Sequence, residues 1–125
     1  MELVLAIDQG THATRALLYD AYGRKLDGCQ VEISLHRPAP GQVEQDADEI
    51  LQSVRYCLGA LLESVPAGAH IGACGLCCQR SSVLAWTRTR GPALPTPCSP
   101  VIGWQDTRAR TGVEALAPRA TDIRR

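Results

Sequence analysis

An apolar run, Leu3-Val4-Leu5-Ala6-Ile7, ends in Asp8-Gln9-Gly10-Thr11, and a second run, Thr14–Tyr19, begins almost at once. Runs this short read as strands, and a turn over 8–13 leaves them little choice but to pair with each other, antiparallel. The first strand buries itself and delivers a carboxylate at its end. Gly10 lets the backbone turn and approach a ligand with no Cβ in the way. Thr11 adds a hydroxyl and backbone N–H groups, and Arg15 returns on the second strand as a planar cation suited to phosphate. A carboxylate for Mg²⁺ beside a Gly/Thr turn for phosphate is the layout of a nucleotide site. Taken alone, Asp8 reads as well as a turn-forming Asp after a strand.

A turn at Asp20-Ala21-Tyr22-Gly23 leads to a third strand over Lys25–Leu35, where Val31, Ile33 and Leu35 alternate with polar residues. Three consecutive strands with short connections predict an antiparallel meander. Arg37-Pro38-Ala39-Pro40-Gly41 interrupts the pattern as loop. Asp46 then stands as an N-cap with Glu49 three residues on, a capping-box arrangement. Ile50, Val54, Cys57, Leu58, Leu61 and Leu62 recur at helical spacing, predicting a helix over Ala47–Ser64 with one apolar face. Pro66-Ala67-Gly68 ends it. Ile71–Cys78 reads as a buried strand of small side chains and Val83–Trp86 as another short one. The segment from Thr89-Arg90-Gly91-Pro92 through Pro100 reads as a connecting loop. Val101–Trp104 is a brief strand, and Thr107–Leu116 begins a second helix.

With 125 residues and zero formal net charge, the chain is of single-domain size and carries no electrostatic footprint for nucleic acid or anionic lipid. No run approaches the roughly 20 apolar residues of a membrane span, and no secretion signal opens the chain. A cytoplasmic protein is expected. Six cysteines raise a zinc or redox reading, carried by Cys74-Gly75-Leu76-Cys77-Cys78. No second pair stands at zinc-ligand spacing, and residues three apart on a strand face opposite ways, so cysteine as a small core residue is the preferred reading. His12, His36 and His70 have no Ser or Cys partner at recognisable spacing, which leaves a hydrolase unsupported. The absence of Phe and a tail over 117–125 that closes no element suggest an incomplete domain. Arg119, Arg124 and Arg125 in that tail read as a solvated face.

Four segments, in order, carry a resemblance to the FGGY family of carbohydrate kinases, nearest its glycerol kinase branch. Ala6-Ile7-Asp8-Gln9-Gly10-Thr11 with Arg15 and Tyr19-Asp20 resembles the family's first phosphate-binding hairpin. Pro40-Gly41-Gln42-Val43-Glu44-Gln45-Asp46 with Glu49-Ile50 resembles its "PGWVEHDPxEI" segment, Gln42 replacing Trp. Gln79-Arg80 resembles "NQRE", and Ile102 to Arg108 resembles "VWQDTR". The resemblance implies an α/β, ribonuclease-H-like half-domain of the kind shared with actin and the heat-shock ATPases. Its strand order in sequence would be βββαβ(α), in a mixed sheet. The chain would be an N-terminal kinase domain stopping before its end, with the C-terminal domain absent.

The implied activity is ATP-dependent phosphorylation of a hydroxyl on a small polyol or sugar, with ATP and Mg²⁺ as cofactors. Asp8 would organise the metal. Gly10, Thr11, His12, Ala13 and Arg15 would line the phosphates. Arg80, Ser81 and Trp104 would hold the substrate, Trp104 as a flat apolar wall and Arg80 as a donor to hydroxyls. No catalytic base lies in this chain, because the family's base Asp falls later. The chain alone is therefore expected to be inactive and, with sheet edges and a cleft face uncovered, poorly soluble; a homo-oligomer is one expectation for the full-length form. His12 stands where the family commonly has Thr or Ser. Ser81 replaces a Glu that accepts from glycerol hydroxyls, which points to a bulkier polyol or sugar. The competing readings are a non-catalytic remnant or binding module of the same fold, surface arginines at 15 and 80, and a partly buried core aromatic at Trp104.

Overall fold

The structure is a computed structural model, and it describes residues 1–88 and 95–119. Its elements are β1 (Glu2–Gln9), β2 (Ala13–Asp20), β3 (Lys25–Glu32), β4 (Glu44–Gln45), α1 (Ala47–Glu63), β5 (His70–Cys78), β6 (Val101–Ile102) and α2 (Arg110–Leu116), followed by a 3₁₀ turn at Ala117–Arg119. The loop expected at Thr89–Pro92 and the arginines at 124 and 125 lie outside the described residues.

The expected meander is present. β1 pairs antiparallel with β2 and β2 with β3, while β5 joins β1 in parallel, giving a mixed sheet of order β3-β2-β1-β5. Side chains alternate across a strand, so Leu3, Leu5 and Ile7 of β1 and Ala16 and Leu18 of β2 share one face. They pack against Cys57 and Leu61 of α1 in a single core cluster. Each such aliphatic side chain contributes about 1.5–3 kcal/mol by leaving water. Asp8, offset by one from Ile7, therefore emerges on the face away from α1.

The helix begins as its cap signals require. Asp46 accepts from the N–H groups of Asp48 and Glu49 at 2.7 and 3.2 Å. Glu49 does not complete a capping box, because its Oε1 instead accepts from the backbone N–H and hydroxyl of Ser34, both at 2.9 Å. The buried stripe of α1 is Ser53, Cys57 and Leu61, spaced by four, and Leu62 of the expected apolar face is 56% exposed. Ser53 belongs inside because it meets Thr14 of β2, hydroxyl to hydroxyl, at 2.7 Å.

Other sequence expectations need correction. β3 ends at Glu32 rather than Leu35, since β2 begins only at Ala13 and the next N–H, of Ile33, goes to the turn carbonyl of His12. β5 is not a buried strand, and Cys74, Cys77 and Cys78 are exposed rather than core residues. The reason is topological: β5 is an edge strand beside β1, whereas α1 packs chiefly over β2 and β3. Val83 and Trp86 form isolated bridges to Ile102 and Pro97 instead of a strand. The second helix starts at Arg110, not Thr107: the Thr107 carbonyl accepts from the Arg110 N–H at 3.1 Å in a three-residue turn that precedes the helix.

Candidate active site

β1 and β5 run parallel, and ligands of open α/β sheets bind beyond the carboxyl ends of such strands. A cleft of about 430 Å³ opens there, and Asp8, Gly10, Thr11, Arg80, Ser81 and Trp104 all line it. Six of the residues singled out from the sequence thus meet in one depression, drawn from the end of β1, the segment after β5 and the segment after β6. His12, Ala13 and Arg15 do not line it. Ala13 is buried, His12 is exposed, and Arg15 stands opposite Asp8 across the hairpin. Its guanidinium lies 3.4 Å from Asp8 Oδ2, and its Nε donates to Gln30 Oε1 at 2.7 Å. Both members of the pair are half exposed, so the contact orients Arg15 more than it stabilises the fold.

The turn that carries Gly10 is tight. The Gly10 N–H donates to Ala13 O at 2.9 Å, and a Cβ on Gly10 would stand 3.2 Å from that oxygen. Among the described residues the N–H groups of Thr11 and His12 donate to no backbone acceptor. Two adjacent free amides at a turn suit an anion.

Three glutamines, present in the resembling segments without a role of their own, support this turn. Gln9 donates to Gly10 O at 2.8 Å, and Gln45 donates to Thr11 O at 2.8 Å. Gln79 donates to Gln45 Oε1 at 2.9 Å and to Gly10 O at 3.2 Å. Gln45 is fully buried, unusual for an amide unless its partners are all in place. The signal was present only as membership of the resembling segments, since no spacing rule gives a lone Gln this task.

A charged clasp ties the segment that follows Trp104 to β4. Arg108 pairs with Glu44 and Asp106, each at 2.7 Å, and Asp106 accepts from the N–H of Val43 at 2.7 Å. The Arg108 guanidinium, followed by the Val43 amide, holds the Asp106 carboxyl well below the usual carboxylate range, and Asp106 and Glu44 raise Arg108 in turn. Gly41 sits at φ +78°, and a Cβ there would stand 2.7 Å from Thr107 Oγ1, so glycine is needed where the two segments close. Trp104 is 55% exposed rather than a core aromatic, and its Nε1 donates to Thr11 Oγ1 at 2.9 Å. The indole therefore stands as a wall tied to the turn. Arg80 is exposed and makes no ion pair among the described residues. Ser81 adopts φ 61°, a left-handed conformation uncommon for a residue with a Cβ. Conformations of this kind cost on the order of 1–3 kcal/mol and gather at binding sites.

The mixed sheet, its parallel pair and the cleft at the strand ends define a ribonuclease-H-like half-domain of the sugar-kinase type. The chain belongs to the FGGY family of carbohydrate kinases, matching the family's N-terminal domain over residues 3–124. It is 38% identical over 117 residues to a glycerol kinase of Aromatoleum aromaticum, across 93% of this chain and 23% of that protein. The fold superposes on a crystal structure of Plasmodium falciparum glycerol kinase with ADP at TM-score 0.80 and 25% identity, across 94% of this chain and 23% of the other. A ligand-bound xylulose kinase of Lactobacillus acidophilus shares the fold at TM-score 0.81 and 23% identity, across 95% of this chain and 23% of that one. The chain thus spans less than a quarter of the length of these relatives. No helix among the described residues is long and apolar enough to cross a membrane.

Proposed function

We propose that this chain supplies one wall of the cleft of a cytoplasmic, ATP-dependent kinase that phosphorylates a hydroxyl of a small polyol or sugar. The observation that carries the reading is the convergence of a phosphate-suited turn, Gly10-Thr11, and a substrate-suited pair, Arg80 and Trp104, in one cleft of a family member. Asp8 fits Mg²⁺: it is a half-exposed carboxylate at the cleft, and Mg²⁺ is bound through one or two carboxylates plus substrate phosphates. When bound, the metal neutralises charge on the phosphate being transferred.

The chain's own residues do the positioning. The Thr11 and His12 amides are free to receive phosphate oxygens, and Arg15, steered by Gln30, adds positive charge beside Asp8. Trp104 presents its face to the C–H side of a polyol, while Arg80 donates to hydroxyls. Ser81 leaves room and lacks a carboxylate, which favours a substrate bulkier than glycerol. The base that accepts the hydroxyl proton and the wall that holds adenine belong to the part of the relatives' length that this chain does not span. Transfer in such a cleft depends on excluding water, which one wall alone does poorly.

The test is an ATP-consumption screen over glycerol, erythritol, pentitols and ketoses. It is run on the longest polypeptide that carries this sequence and on the 125-residue chain. Phosphorylation of a pentitol or ketose by the longer polypeptide only is the expected result. Activity restricted to glycerol contradicts the role of Ser81, and full turnover by the 125-residue chain contradicts the division between walls.

A further inference from the structure

We infer that Gln45 is a positioning residue for the phosphate turn, acting with Gln79 to hold the Gly10 and Thr11 carbonyls inward so that the Thr11 and His12 amides point outward. This rests on the reading of that turn as a phosphate site. Gln45 lies in β4, outside the sheet that carries the turn, and is 0% exposed. Its Nε2 donates to Thr11 O at 2.8 Å, with Ser34 O a further acceptor at 3.4 Å, and its Oε1 accepts from Gln79 at 2.9 Å. One amide thus makes both a donor and an acceptor bond, as its chemistry allows.

A peptide plane is rigid, so fixing a carbonyl fixes the direction of the following N–H. Holding Thr11 O inward aims the His12 N–H away from Gln45, and holding Gly10 O does the same for the Thr11 N–H. A preset array of donors binds an anion without a cost of ordering at the moment of binding. The network also links the turn to the substrate side, because Gln79 directly precedes Arg80 and accepts from the Ser82 hydroxyl at 3.0 Å. Gln45 touches neither phosphate nor polyol. Its task is carried out through the backbone of the turn.

The experiment is amide-resolved NMR of the 125-residue chain, wild type against Gln45→Leu, Gln79→Leu and Gln45→His. Leu matches the volume of Gln45 and removes both bonds, whereas a neutral imidazole restores one donor and one acceptor. Hydrogen exchange at the Gly10 amide should accelerate by about tenfold or more in Gln45→Leu while Leu5 and Leu18 stay protected, because only the local opening changes. Magnesium pyrophosphate should shift the Thr11 and His12 amides in the wild type, not in Gln45→Leu, and again in Gln45→His. Should Gln45→Leu lose its core protection, the half-buried Gln79→Leu reads the same loosening. Unchanged Gly10 exchange, or pyrophosphate shifts as large in Gln45→Leu as in the wild type, overturns the inference. A wild type silent to pyrophosphate, with a turn loosened in Gln45→Leu, overturns the phosphate reading and supports the positioning.

Discussion

The hydroxyl pair that docks α1 onto β2 offers a sharp test of how the fold is held together beneath the cleft. Ser53 Oγ lies 2.7 Å from both Ile50 O and Thr14 Oγ1, and its single proton goes to the carbonyl. Thr14, 0% exposed, must therefore donate to Ser53. Ser53→Ala leaves the Thr14 hydroxyl buried with no acceptor there, a penalty of about 1–3 kcal/mol. Alanine's better helix propensity returns about 0.5 kcal/mol, so the net loss should be about 1.5 kcal/mol. Thr14→Val removes the donor and leaves Ser53 bonded to Ile50, costing about 1 kcal/mol. The double variant orphans nothing and should cost about 1 kcal/mol less than the sum of the two. Urea unfolding followed by far-ultraviolet circular dichroism reads all of this. With a slope of about 2 kcal/mol/M, Ser53→Ala should lower the midpoint by about 0.7 M. Additive single costs would refute the donor assignment.

Other consequences can be measured on the same chain. Asp20 is held below the usual carboxylate pKa by the Arg24 backbone N–H first, with the Arg24 side chain and the Tyr22 N–H adding to it. Its stabilisation is therefore complete above the unfolded value, about pH 4, and is lost as the pH falls through the folded one. Asp20→Asn should flatten the acid side of the Tm profile, and an unchanged slope there counts against these bonds. The Cys57 thiol is pushed up to about 11, by burial first and then by its neighbour Cys29. Native-state alkylation near neutral pH should label the exposed Cys74, Cys77, Cys78 and Cys98 while sparing Cys57 until the chain unfolds. Early labelling of Cys57 would show that α1 is not seated as described. Gly41→Ala should cost on the order of 1–2 kcal/mol and alter tryptophan fluorescence, since it strains the Gly41–Thr107 contact in the segment that follows Trp104. A neutral Gly41→Ala would mean that the segments close differently.

What could be read from the sequence was local. The hairpin of β1 and β2 and the Asp46 cap of α1 depend on neighbours within a few residues, and both formed where their signals stood. Asp8, Gly10, Thr11, Arg80, Ser81 and Trp104 met because the resembling segments fall at the ends of neighbouring elements. What escaped depends on partners distant in sequence. Ser53 is polar, so apolar periodicity passes over it, yet Thr14 makes it a core residue. Apolar and small residues over His70–Cys78 suggested burial, but burial needs a covering element, and the order of the sheet places β5 at an edge. Gln45 and Gln79 show no chemistry of their own until their carbonyl partners come into place. Glu44, Asp106 and Arg108 stood inside recognised segments without an assigned task, which became visible only as a clasp across 64 residues of sequence.

Steady-state kinetics on the longest polypeptide carrying this sequence shows whether one cleft wall joins a phosphate side to a polyol side. Asp8→Asn should lower kcat by about a hundredfold or more while the KM for polyol changes little, because its contact matters at transfer. Arg80→Ala should raise the KM for polyol by about tenfold and leave the KM for ATP near its wild-type value. Variants that move both KM values together, or leave kcat and both KM values unchanged, would contradict the placement of the phosphate and polyol sides in this cleft.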